Sequence, residues 1–202
     1  ISVIKGYRCI LCVPDKISDE KLNSLRALKA EVVVCPSNVK PDDPRSYYSR
    51  AKQIHQETPN SYYVNQYFNE ANTEAHYCTT GPEIWKQTEG KITHYIAPCG
   101  TGGSLCGTAK YLKEQNPNIK IIGVDAYGSV LKKYHETGIL DEKEIYPYIT
   151  EGIGEDILPK NVDFRLIDAF EKVSDKDGAL MTRRLAREEG ILVGYSCGSA
   201  MQ

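Results

Sequence analysis

Residues 7–13 form a short, mostly apolar run closed by Pro14-Asp15, the pattern of a buried strand. Ser18 is placed to cap a following helix. Ile17 and Leu22 occupy its staple positions, and Leu22, Leu25 and Leu28 make its apolar stripe. Residues 31–35 are β-branched and stop at Pro36, which predicts a second strand. Pro44 opens a further predicted helix to about Glu57, and Ser61 to Val64 reads as a third short strand. The order β-α-β-α-β predicts a parallel sheet wrapped by helices. From Tyr67 the polarity rises, and residues 72–87 read as one or two helices broken near Gly81-Pro82. A strand over 92–97, a glycine-rich turn, a helix to Asn116 ended by Pro117, and a strand over 119–125 make one βαβ unit. Residues 126–162 read as irregular, a length that compact domains usually reserve for function. Ser174 caps a helix to about Glu189, with Asp177 at the capping-box position and Gly190 as its stop. A strand over 191–193 then leads into a second strand-to-helix turn at Tyr195-Ser-Cys-Gly-Ser199.

Composition narrows the class without changing this reading. The 202 residues are 41% hydrophobic and 26% charged, ordinary globular values that disfavour disorder, collagen and coiled coil. A net charge of −2 is a poor footprint for nucleic acid or an anionic membrane, and no apolar run approaches the ~18 residues of a span. Seven irregularly spaced cysteines read as free, mostly buried thiols in a reducing, cytoplasmic setting. Cys9 and Cys12 form a C-x-x-C only on paper, because positions three apart on a strand point to opposite faces. His55, His76, His94 and His135 have no ligand partner at helical spacing, so no metal site is expected. The opening Ile-Ser-Val-Ile lacks the flanks of a signal peptide. Both ends read as cut from a longer protein.

The strongest chemical signal is Gly100-Thr-Gly-Gly-Ser104. Glycines between a strand and a helix let backbone N–H groups converge, the helix start adds partial positive charge, and Thr101 and Ser104 add hydroxyls. This is an anion cradle suited to phosphate, although a tight turn for helix–sheet packing would use the same residues. It is neither a dinucleotide fingerprint, since Leu105 stands where a third glycine belongs, nor a P-loop, since no Lys follows. Taken alone, Gly152 and Gly154 are also readable as turn glycines, Ser196 as a helix cap, Gln66 as a solvated strand end and Tyr77 as a half-buried helix residue.

Five strings occur in order: Gln66-Tyr-Phe-Asn-Glu-Ala-Asn72, Ala75 to Trp85, Gly100 to Ser104, Glu151-Gly-Ile-Gly154 and Gly194 to Ser199. Together they resemble the cystathionine β-synthase/cysteine synthase (O-acetylserine sulfhydrylase) family of pyridoxal-phosphate (PLP) enzymes over essentially the whole chain. The resemblance implies an α/β fold of two three-layer αβα units with mostly parallel twisted sheets (fold type II, tryptophan synthase β-like), truncated at both ends. Residues 1–66 would be the rest of a small mobile domain, and 67–202 most of the large PLP-binding domain. It implies that Gly100, Thr101, Gly102, Gly103 and Ser104 hold the cofactor phosphate, that Ser196 faces the pyridine nitrogen, and that Gly152 lines the cofactor. Gln66, Tyr77 and Gly154 would lie near the substrate. Ser104 replaces a Thr, and Tyr195 and Cys197 are bulkier than the residues usual beside Ser196. The family's Schiff-base lysine and its Ser-x-Asn-Thr-Gly string lie upstream of the match to Tyr7, so no catalytic residue is assigned and these residues alone are expected to be inactive. The implied reaction is β-replacement on L-serine with homocysteine to give cystathionine, in a homodimer. The alternatives are O-acetylserine with sulfide, which the Thr79–Trp85 run fits as well, and a non-catalytic phosphate-binding module.

Overall fold

A computed structural model describes all residues from Ile1 to Gln202. The chain divides into two compact units, Ile1–Val64 and Asn65–Gln202.

The first unit comprises helix α1 (Ser2–Lys5), strand β1 (Ile10–Pro14), helix α2 (Asp19–Ala27), strand β2 (Glu31–Cys35) and helix α3 (Tyr47–Glu57). β1 and β2 pair in parallel with Cys12 opposite Val33, and α3 packs on both strands. The α2 cap is the expected one. Ser18 Oγ accepts from Lys21 N at 3.4 Å, and Asp19 and Glu20 sit in the first turn, where the helix dipole favours negative charge. The α3 cap moves from the predicted Pro44 to Ser46, whose hydroxyl accepts from Ser49 N (3.2 Å) and donates to Pro41 O (2.6 Å). Residues 61–64 do alternate between half-buried and exposed, but they lie outside the two-stranded sheet and form no strand. Period-2 patterning makes a chain extended, and only a neighbouring ladder makes it a strand.

The second unit runs α4 (Ala71–Cys78), α5 (Thr80–Gln87), β3 (His94–Pro98), α6 (Gly103–Gln115), β4 (Lys120–Ala126), α7 (Leu131–Thr137), β5 (Ala169–Val173), α8 (Asp175–Glu188) and α9 (Tyr195–Met201). Its sheet is parallel in the order β3-β4-β5, with Ala97 opposite Gly123 and Val124 opposite Glu171. The α4–α5 break falls at Thr79, not at Gly81-Pro82. Pro82 lies in the first turn of α5, where its missing N–H costs nothing. Gly81 lies against Tyr111, whose Cβ would be 2.7 Å from any Cβ added there. The predicted strand at 191–193 is unpaired, and Leu192 is 91% exposed.

Two elements had no clear sequence signal. β5 is Ala-Phe-Glu-Lys-Val, and of its residues only Phe170 is buried. α7 interrupts the stretch read as irregular and ends at Gly138, whose φ is 69°. The core sits where α6 covers the sheet. Leu105, Ala109 and Leu112 meet Ile119, Ile121 and Phe170, all at 3% exposure or less. Each large side chain among them contributes about 1.5–3 kcal/mol by leaving water. Gly123 makes room for Phe170, since a Cβ there would lie 2.4 Å from the ring. Asp168 ties layers together by accepting from Lys113 Nζ (2.7 Å), Ile121 N (2.8 Å) and Lys120 Nζ (3.4 Å). Burial pushes its carboxyl up, but Lys113, the Ile121 N–H and Lys120 outweigh that and hold it at about 2.

All seven cysteines are free. Cys35, Cys99 and Cys106 are buried as expected, whereas Cys78 and Cys197 are exposed. Each histidine is hydrogen-bonded to a hydroxyl or a carbonyl: His55 to Ser61, His76 to Thr80, His94 to Thr93 and His135 to Ile167 O. No helix is long and apolar enough to cross a membrane.

Candidate cofactor site

Parallel sheets bind ligands beyond the carboxyl ends of their strands. In the second unit those ends are crowded with the residues the sequence singles out. β3 ends at Pro98, Gly102 takes a left-handed conformation (φ 87°), and α6 begins at Gly103. The first N–H to donate within α6 is Cys106 N, to Gly102 O at 2.8 Å. The N–H groups of Gly103, Ser104 and Leu105 therefore have no acceptor inside the helix. They project at its positive end, with the half-buried Thr101 and the exposed Ser104 beside them.

The glycines have distinct reasons. Gly102 needs its positive φ, and a Cβ there would also meet Val162 Cγ2 at 2.6 Å. Gly103 clears the Asn72 side chain, and Gly107, one turn on, clears Thr73 O, which a Cβ would approach to 2.2 Å. α4 thus runs tightly along α6. Asn72 Nδ2 donates to Thr101 Oγ1 (3.1 Å) and to Gln66 O (3.0 Å), and Asn161 Nδ2 donates to the same carbonyl (2.8 Å). Sequence reasoning did not single out Asn72 or Asn161. Each is a neutral amide with no periodic or charge signal.

The Glu151–Glu155 segment lies across the ends of β3 and β4. Gly154 N donates to Cys99 O (2.8 Å), Glu155 N to Ser129 Oγ (2.9 Å), and Glu155 O accepts from Val130 N (3.0 Å). Upstream, Asp175 at the start of α8 accepts from Ile149 N (2.9 Å) and Thr150 N (2.8 Å). The loop is pinned on both sides of Gly152. That residue has φ 77°, and a Cβ there would meet nothing within 4 Å, so it borders open space. Gly154 is left-handed and enclosed, with Ser129 Cβ and the Tyr148 hydroxyl each 2.9 Å from the Cβ it lacks. Gly152 O lies 3.2 Å from where a Cβ on Gly100 would stand. Two buried groups flank the loop. Burial raises the Cys99 thiol well above its usual range, and Glu155 is 8% exposed with Oε1 3.5 Å from that same Gly100 Cβ position.

Ser196 is in the first turn of α9, which follows Gly194. α9 meets α8 backbone to backbone, since a Cβ on Gly198 would come within 2.1 Å of Thr182 Oγ1 and 2.2 Å of Gly178 O. α9 also packs against β3, the strand that opens the glycine loop. The Gly100 loop and the Ser196 turn are therefore hung from one strand.

The profile of a family described as "Pyridoxal-phosphate dependent enzyme" matches residues 1–202. The chain belongs to this family. It is 44% identical to cystathionine β-synthase of Oryctolagus cuniculus over 200 residues, 99% of this chain and 36% of that protein. It is 38% identical to cysteine synthase 3 of Caenorhabditis elegans over 200 residues, 98% of this chain and 56% of that protein. The crystal structure of a hydrogen sulfide-producing enzyme from Fusobacterium nucleatum superposes with a TM-score of 0.88 at 31% identity, covering 99% of this chain and 64% of that one. The chain thus spans a little over a third of the cystathionine β-synthase it matches.

As a member of the pyridoxal-phosphate dependent enzyme family, the chain gathers Gly100, Thr101, Gly102, Gly103, Ser104, Gly152 and Gly154 in one place. The donor set of Gly103, Ser104 and Leu105 N–H with the Thr101 hydroxyl fits the phosphate of PLP. Gln66 is joined to that group through its backbone carbonyl. Tyr77 is not joined to it. Its hydroxyl donates to Glu114 Oε2 (2.6 Å), its ring carries Lys110 Nζ 5.0 Å from the centroid, and the Glu114 contact raises its hydroxyl pKa. Because α4 runs alongside α6, residues further down α4 meet the far end of α6, about 15 Å from the helix start. Tyr195 and Cys197, the bulky neighbours of Ser196, are both exposed.

Proposed function

We propose that these residues form the phosphate-holding part of a cystathionine β-synthase-like PLP enzyme. The full protein would join L-serine and homocysteine into cystathionine with loss of the serine hydroxyl. The supporting observation is the assembled loop, with free-ended helix N–H groups, the Thr101 hydroxyl and the pinned Gly152–Gly154 segment on the strand that also carries α9, in a chain 44% identical to a cystathionine β-synthase. When bound, the cofactor supplies an electron sink for the carbanion formed at the amino-acid α-carbon. Gly100 to Ser104 hold its phosphate as a fixed point, so that the ring is oriented before any substrate arrives. The Ser196 hydroxyl is assigned to the ring nitrogen. A neutral partner leaves that nitrogen largely unprotonated, which suits prompt departure of a β-substituent. Gly152, bordering open space, and Gly154 line the substrate side, with Gln66 near the bound amino acid. In this reading the proton-moving lysine lies outside residues 1–202, so these residues alone are inactive. The whole protein is a cytoplasmic homodimer of two three-layer units.

The identity to cysteine synthase 3 supports a second reading, in which O-acetylserine and sulfide are the substrates. Assaying the full protein with both pairs separates them. Faster turnover of serine with homocysteine is expected; a preference for O-acetylserine with sulfide reverses the ranking. Failure of any form of the protein to bind PLP leaves only a phosphate-binding module.

A further inference from the structure

We propose that Asn72 is a positioning residue for the cofactor phosphate, acting through the proton of the Thr101 hydroxyl. This rests on the PLP reading above. The orientation of the Asn72 amide follows from its partners. One terminal atom lies 3.0 Å from Gln66 O, a carbonyl that can only accept, so that atom is the nitrogen. Its second N–H is then spent on Thr101 Oγ1 at 3.1 Å. A hydroxyl that accepts in this way still carries one proton to give. Phosphate oxygens at neutral pH are acceptors. The bond from Asn72 therefore leaves the Thr101 hydroxyl in the polarity that phosphate needs, and it holds the oxygen in place before the ligand arrives.

The surroundings make this a fixed arrangement. The three atoms nearest a Cβ on Gly103 all belong to the Asn72 side chain, the closest at 1.9 Å, so position 103 is kept empty for this amide. Gln66 O is held a second time by Asn161 Nδ2 at 2.8 Å, and Asn161 is 4% exposed. Val162, the next residue, backs Gly102. The start of α4, the glycine loop and the 159–162 turn thus converge on one carbonyl, with Asn72 as the link that reaches the loop's hydroxyl.

The test compares PLP with pyridoxal, which lacks the phosphate, by titrating the cofactor-free full protein. The variants are Asn72→Ala, Asn72→Leu and Thr101→Val. Asn72→Leu keeps the bulk and adds no charge but offers no N–H, so nothing holds the Thr101 hydroxyl with its proton toward the phosphate. The expected result is about a tenfold loss of PLP affinity in Thr101→Val and about a threefold loss in Asn72→Leu and Asn72→Ala, with no further loss when Asn72→Leu is added to Thr101→Val. Pyridoxal affinity should change less than about twofold. Equal losses for both ligands, or an Asn72→Leu effect that persists in full on top of Thr101→Val, would overturn the assignment as merely structural. Wild-type protein that binds PLP no better than pyridoxal would instead sink the phosphate-loop reading itself. If Asn72→Ala does not fold, the Asn72→Leu and Thr101→Val pair decides the matter.

Discussion

Gly103→Ala is the most diagnostic single change in the second unit. The added methyl would lie 1.9 Å from Asn72 Oδ1, 2.3 Å from Cγ and 2.7 Å from Nδ2, against the ~3.5 Å of an ordinary contact. Asn72 must leave. Two hydrogen bonds go with it, at about 1 kcal/mol each, and residual crowding adds about 1–3 kcal/mol. The gain in helix propensity returns at most about 1 kcal/mol. The expected net loss is about 2–4 kcal/mol. Asn72→Ala alone should cost about 1–2 kcal/mol, because Asn161 still serves Gln66 O. In the double variant the clash has no partner, so adding Gly103→Ala to Asn72→Ala should cost nothing further. Trp85, the single tryptophan, lies in the second unit, and its fluorescence during urea unfolding reports this unit. A coupling of about 2–4 kcal/mol between the two changes is expected. Additive losses would show that Asn72 is not what keeps position 103 free of a side chain.

Asp168→Asn tests the acid response. The Asp168 carboxyl is held at about 2, so the stability it contributes is complete above its unfolded value near 4 and is lost as pH falls through 2. Asp168 is solvent-exposed, so screening reduces the loss in wild type to about 1 kcal/mol over that window, and the variant's urea midpoints should lack that slope. Gly102→Ala combines a left-handed backbone with a methyl 2.6 Å from Val162 Cγ2, and should cost about 3 kcal/mol. Gly190→Ala, left-handed but facing open space, should cost about 1 kcal/mol, and a thermal melt in which the two shift equally contradicts the steric account. Iodoacetamide followed by peptide mass analysis should modify Cys78 and Cys197 in native protein. It should reach Cys99 and Cys106 only in denaturant, because burial raises both thiols, Cys106 to about 12; native labelling at Cys99 would contradict its placement.

Local chemistry carried much of this protein into the sequence. The Ser18 and Ser174 caps, the β-branched run of β2 and the glycine turn after β3 are legible because each is decided within a few residues: a hydroxyl reaching an N–H three positions on, a branched side chain preferring a pleat, a backbone that must turn before a helix. Pairing is not local. Residues 61–64 and 191–193 have strand-like patterns and join neither sheet, while the charged segment 169–173 becomes β5 because β4 offers it a ladder. The site divides in the same way. Which groups are free to donate to an anion was readable from the turn itself. That Gly103 serves Asn72 and Gly198 serves Thr182, that Gln66 contributes a carbonyl held by two amides, and that Tyr77 faces Glu114 depend on how helices approach one another. Those distances are set by the packing of elements far apart in the chain, and no window of sequence contains both sides of such a contact.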